Sequence, residues 1–171
     1  MIDRLDRVLV RVNQAILIAL LAAMSVIVFA NVMLRFLTDV SIVWAEEAAR
    51  YMMIWLTFLG MGLVYRYGGH LAVDNLQDAL PPRFARALRV LILLLVAGFG
   101  LLMMWIGANH VDRTWVQTTP VLLLPFGLVY TAMPLGAALL ILHVLAVARR
   151  FVGERRFDGT EGFDPSAGAG L

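Results

Sequence analysis

Glu46, Glu47 and Arg50 stand in the stretch VWAEEAARYMMIW, where two adjacent carboxylates and a guanidinium lead directly into an apolar run. Acids in such a place suggest either a proton-carrying group or an ion pair, and the spacing favours the pair. Glu46 and Glu47 precede Arg50 by four and three residues, acid on the N-terminal side, which is the favourable order on a helix. Acids in a first turn also meet the positive end of the helix dipole. Arg35 ends the preceding apolar run at the same level, so the layer carries two positive and two negative charges. The residues Arg35, Trp44, Glu46, Glu47 and Arg50 are therefore expected to form either a self-neutralising layer that fixes a hairpin or a contact with a partner protein.

Other reactive side chains are sparse. There is no cysteine, hence no disulfide framework, thiolate metal site or thiol nucleophile. A haem-binding membrane cytochrome would need histidines facing each other at matching depth. His70 falls in a loop past Arg66, His143 lies toward the same side, and His110 sits at the opposite edge. A stand-alone proton-coupled exporter would need an acid embedded in the membrane, whereas Glu46 and Glu47 lie near its surface. Both remain as alternatives, and no enzyme activity, cofactor or metal is expected.

The elements that hold these residues follow from composition. Hydrophobic residues make up 61% of the 171-residue chain and charged ones 15%, with a mean hydropathy of +0.84, far from the balance of a soluble domain. All fourteen basic residues are arginine and exceed the acids by only two, which excludes a broad nucleic-acid surface. Charge-free windows at 12–34, 51–65, 90–111 and 114–148 must each hold roughly 20 apolar residues to cross a bilayer. The second does so once its helix starts near Trp44. The fourth is overlong, and Pro120 and Pro125 suit an irregular start. The fold expected is an all-α integral membrane protein with four transmembrane helices, at about 12–35, 44–66, 88–111 and 125–148.

Residues 1–152 form the expected membrane domain and 153–171, polar and without periodicity, a disordered cytoplasmic tail. The first apolar run is longer than the core of about 7 to 15 residues in a cleavable signal, so it is read as retained. Before it, Leu5, Val8, Leu9 and Val12 share one helical face opposite arginines, the pattern of an interfacial lead-in helix. A second short surface helix is expected in the loop after Arg66, ended by Pro81 and Pro82. Pro134 should bend the fourth span. Ala15, Ala19 and Ala23, Gly60 and Gly62, Gly98 and Gly100, and Ala132 with Gly136 are small residues suited to close helix contact, within the chain or with another subunit.

Orientation follows from the arginines. With the N-terminus inside, eleven face the cytoplasm and three, Arg35, Arg50 and Arg113, the outside. Both termini are then cytoplasmic, and Trp44 and Trp115 fall at the outer boundary. Arg83, Arg86 and Arg89 share one face near the inner headgroups, where they anchor a helix end or meet a lipid or partner.

From Asn31 to Leu76 the sequence resembles the small membrane subunit, DctQ type, of tripartite ATP-independent periplasmic (TRAP) transporters. The resemblance rests on Asn31 and Arg35 closing the first span and Trp44 with Glu46, Glu47 and Arg50 opening the second. It continues through Phe58 to Gly60, Arg66, and the element Gly69, His70, Val73 and Asp74. LPPRFARAL and PFGLVYTAMPLG suit the same family, although Phe126 stands where tryptophan is more usual and RTWVQTTPVLLLP has no family signature.

What the resemblance implies is a non-catalytic supporting role in the bacterial inner membrane. The large TRAP membrane subunit would carry the transport sites, and a periplasmic substrate-binding protein would deliver an organic acid or similar solute for ion-gradient-driven uptake. The small subunit would scaffold the large one. The residues agree from below, because spans one, three and four hold no interior carboxylate or cation, and such groups usually mark an ion or substrate path. For His70 and Asp74 the expectation is a loop contact with the large subunit or lipid, or a local turn.

Overall fold

The computed structural model describes residues 2–67 and 81–154. The region of the expected second surface helix, with His70 and Asp74, and the tail from 155 onward lie outside the described residues.

Four long helices and one short one follow in chain order: α1 Ile2–Thr38, α2 Ala45–Arg66, α3 Pro82–Thr114, α4 Phe126–Tyr130 and α5 Ala132–Glu154. Four are long and apolar enough to cross a membrane, the fourth crossing being α4 and α5 together. At 1.5 Å per residue the 37 residues of α1 extend about 55 Å, well beyond a hydrocarbon core of about 30 Å. The lead-in segment is continuous with the first span, because neither glycine nor proline interrupts residues 2–38. That helix ends where Asp39 takes φ 55° and donates its N–H to the Arg35 carbonyl, a left-handed stop that aspartate tolerates. Asn31 then accepts the N–H of Ile42 at 2.6 Å and folds the chain back toward α2.

Pro82 stands at the start of α3, where a missing N–H costs nothing. Between α4 and α5 the helix is interrupted at Thr131. Pro134 explains the position, since it has no N–H for the Tyr130 carbonyl one turn earlier. The flanking bonds, Thr131 N–H to Gly127 and Leu135 N–H to Thr131, survive at 2.9 and 3.2 Å. The fourth span is thus interrupted rather than ended, and α5 runs to Glu154, slightly past the expected edge of the membrane domain.

In space α1 packs on α2, α2 on α5, and α5 on α3. The centre of this row is tight. Tyr65, Leu140 and Val144 form its core, with Met61, Leu93, Val96 and Ala97 against them. A Cβ at Gly136 would collide with the Phe58 backbone, so glycine there sets how near α2 and α5 come. The flanking helices carry exposed Ile18, Phe29, Leu94 and Trp105. Such surfaces belong against lipid or protein, not water.

Candidate functional site

Polar side chains gather at the two ends of the bundle. At the end that holds the start of α2, Glu47 is buried. Its carboxylate accepts the Tyr51 hydroxyl at 2.6 Å and the backbone N–H groups of Val121 and Leu122 at 2.8 and 3.3 Å. Those two amides sit in a hairpin between α3 and α4. Around Thr119, the hairpin is closed by Thr119 N–H to the Leu124 carbonyl and Phe126 N–H to the Gln117 carbonyl, both 2.8 Å. Glu47 therefore ties the first turn of α2 to a loop more than seventy residues away.

The pairing expected from spacing is not what forms. Among the described residues no ion pair joins Glu46 or Glu47 to Arg50; Glu46 and Arg50 are exposed, and Glu47 alone turns inward. The physical reason is that two amides and a phenol offer Glu47 three donors at once, which outweigh a single exposed guanidinium. Arg35 stands apart too, exposed beside Val32, Phe36 and Asp39. Trp44 precedes α2, half exposed. Between α2 and the hairpin lies a half-open cleft of about 360 Å³, with Glu46, Glu47, Arg50 and Tyr51 on its polar side and Ile54 and Phe126 on its apolar side.

The opposite end carries a layer that sequence reasoning missed. Arg66 of α2 is buried and grips both carboxylate oxygens of Asp6 on α1, one contact measuring 2.7 Å. The same guanidinium approaches Nδ1 of His143, which is fully buried on α5, at 3.5 Å. Gly62 makes room for that imidazole, since a Cβ there would stand 2.5 Å from His143 Cδ2. Arg89 extends the layer to α3 by donating to the Phe151 carbonyl at 3.4 Å. Arg83 and Arg86 are exposed, so the three arginines do not act alike. Further along α1, Asn13 donates to the Leu59 carbonyl at 3.1 Å and Gln14 to the Tyr67 hydroxyl at 2.9 Å. The available signal was that Asp6 and Arg66 both lie beyond an end of a span on the same side, a pairing that helical spacing alone does not reveal.

His143 lies thirteen residues along the fourth span from Tyr130, whose ring meets His110 edge-on at 4.4 Å. That separation is about 20 Å of helix, so His110 and His143 cannot flank one haem. Among the described residues these polar groups cross-link helices. Of the small residues, Gly62, Gly100 and Gly136 meet a neighbouring helix closely, whereas Gly60 and Gly98 face open space, as the α1 stripe does. Ala15, Ala19 and Ala23 are exposed, while Asn13, Gln14, Leu17, Leu20, Met24 and Ile27 are among the residues at least partly covered.

Comparison with known proteins finds relatives of this chain. Residues 24–153 match the family model described as tripartite ATP-independent periplasmic transporters, DctQ component. The chain is 33% identical over 129 residues to a Haemophilus influenzae protein whose name is that of a TRAP transporter small permease, covering 71% of this chain and 76% of that one. It is 28% identical over 177 residues to the C4-dicarboxylate TRAP transporter small permease protein DctQ of Rhodobacter capsulatus, covering 85% and 78%. It is also 27% identical over 105 residues to the isethionate TRAP transporter permease protein DctMQ of Oleidesulfovibrio alaskensis, covering 60% of this chain but 16% of that longer protein.

Proposed function

This chain belongs to the DctQ family of tripartite ATP-independent periplasmic transporters, and we propose that within such a transporter it braces the large membrane subunit that carries out transport. It is the small membrane subunit, a multi-pass protein of the inner membrane, and the family implies a large membrane partner. The observation that carries the bracing role is the use made of its polar side chains. Asp6, Arg66 and His143 join α1, α2 and α5; Asn13 joins α1 to α2; Glu47 joins α2 to the hairpin. Groups engaged in such cross-links stiffen a bundle and are not available to pass an ion along it.

The exposed Ala15, Ala19 and Ala23 face of α1 is the side we assign to the large subunit, because small residues let two membrane helices approach closely. Arg35, Trp44, Glu46 and Arg50 stand at the end we assign to the periplasm, within reach of a periplasmic binding protein. His70, Asp74, Arg83 and Arg86 belong to the cytoplasmic side, as do both termini, by the arginine distribution. The cargo is an organic acid or similar solute, moved by an ion gradient. Co-purification tests the assignment of the α1 face. A bulky Ala19→Trp variant should lose the large subunit while remaining folded alone, and full retention would move the contact elsewhere.

A further inference from the structure

The hairpin at 115–125 has the makings of a membrane-seated element, although it is not helical. No charged residue occurs in it. Val116 is 87% exposed and Leu123 69%, and Val121, Leu124 and the Trp115 indole are exposed as well. A loop in water gains nothing by presenting four aliphatic side chains and an indole.

Six amides of this stretch are bonded within the protein, those of Thr118 and Leu123 not among them. Gln117, Thr119 and Phe126 give their N–H groups to backbone carbonyls, Leu124 gives its own to the Thr119 hydroxyl at 3.1 Å, and Val121 and Leu122 give theirs to Glu47. Water would satisfy those amides without help. In an apolar medium each unsatisfied one costs several kcal/mol, and non-helical backbone is tolerated there only when its groups are bonded internally. Pro120 and Pro125 have no N–H to satisfy. Leu123 holds φ 55° at the turn, an unusual conformation for a bulky residue.

The geometry points to a lipid-contacting surface: the hairpin 115–125 is seated in the headgroup-to-acyl boundary of the bilayer leaflet at its end of the bundle, and Glu47 is the residue that seals its amides for that environment. Lipid is the occupant favoured over protein for two reasons. The hairpin carries no charge by which a protein could recognise it, and it continues directly from α3, whose exposed Leu101, Leu102 and Trp105 form a broad apolar face. The indole of Trp115 is at home at that boundary, where aromatic rings concentrate, and Gln117 and Thr118 supply the polar side of an interfacial segment. The inference rests on the chain crossing the bilayer and not on the role proposed for it within the transporter.

Because the chain has no native cysteine, spin labels can be placed singly, at Val116→Cys and Leu123→Cys. Leu102→Cys serves as a bilayer reference and Asp39→Cys as an aqueous one. The full chain is measured in vesicles of phosphatidylethanolamine and phosphatidylglycerol, alone and with the large subunit. Labels at 116 and 123 should collide with oxygen several-fold more readily than with a water-soluble nickel chelate, as at 102, in both preparations. Nickel access equal to that at 39 would overturn the inference, as would shielding from both reagents only when the large subunit is present, which would make the occupant protein. Glu47→Ala should shift the label at 123 toward nickel access. An independent readout keeps Trp115 as the sole tryptophan, with Trp44, Trp55 and Trp105 changed to Phe. Brominated acyl chains should quench it, and quenching by aqueous acrylamide alone would contradict the placement.

Discussion

Arg66 holds Asp6 through both carboxylate oxygens, across sixty positions of sequence, and touches His143 with the same guanidinium. One buried cation thereby connects three of the four spans. Removing Asp6 deletes a charge-assisted pair that a buried cation makes between two helices, at a cost of about 1–3 kcal/mol. Asp6→Ala should therefore lower the melting temperature of the purified chain by several degrees. The exchanged pair Asp6→Arg with Arg66→Asp should recover part of the loss. Unchanged melting in Asp6→Ala would mean that α1 is held by its other contacts without this ion pair.

The carboxylate of Glu47 bonds two amides and a hydroxyl, and its loss should be felt far away in sequence. Glu47→Ala leaves the Val121 and Leu122 amides without that acceptor. Hydrogen exchange of the peptide spanning those residues should accelerate markedly, while that of α1 stays as before. Arg50→Ala, which removes an exposed side chain outside this network, should leave the same peptide's exchange unchanged. Equal acceleration in both variants would restore the charge-layer view.

Gly62 and His143 make a steric pair. The Cβ of Gly62→Ala would fall 2.5 Å from the imidazole, and crowding of this kind costs about 1–3 kcal/mol. Trimming the ring with His143→Ala should relieve the crowding, so the double variant loses less stability than the sum of the two single changes. Strict additivity, measured by thermal melting, would show that α2 and α5 adjust around the methyl group.

Topology is tested by single cysteines. The one at Asp39 should react with a membrane-impermeant thiol reagent applied from the periplasmic side, while those at Asp78 and Gly159 should not. Labelling at 78 from outside would reverse the orientation.

The four spans were legible because bilayer thickness imposes a length of apolar sequence that few charges interrupt, and because Pro81, Pro82 and Pro134 mark boundaries by their missing N–H groups. The site was less legible. Glu47 and Arg50 read as a helical pair because spacing sees only one helix, whereas the competing donors, Val121 and Leu122, lie 74 and 75 positions away. The Asp6–Arg66 bond escaped for the same reason. Ala15, Ala19 and Ala23 were recognised as a contact stripe, but only the packing of α1 on α2 shows that the stripe points away from the rest of the chain.

Uptake by reconstituted vesicles tests the bracing role most directly. Three preparations, this chain alone, the large subunit alone, and both together, are supplied with the binding protein, its solute and a sodium gradient. The bracing role predicts uptake only when both membrane subunits are present. Uptake by this chain alone, or full uptake by the large subunit alone, would contradict it.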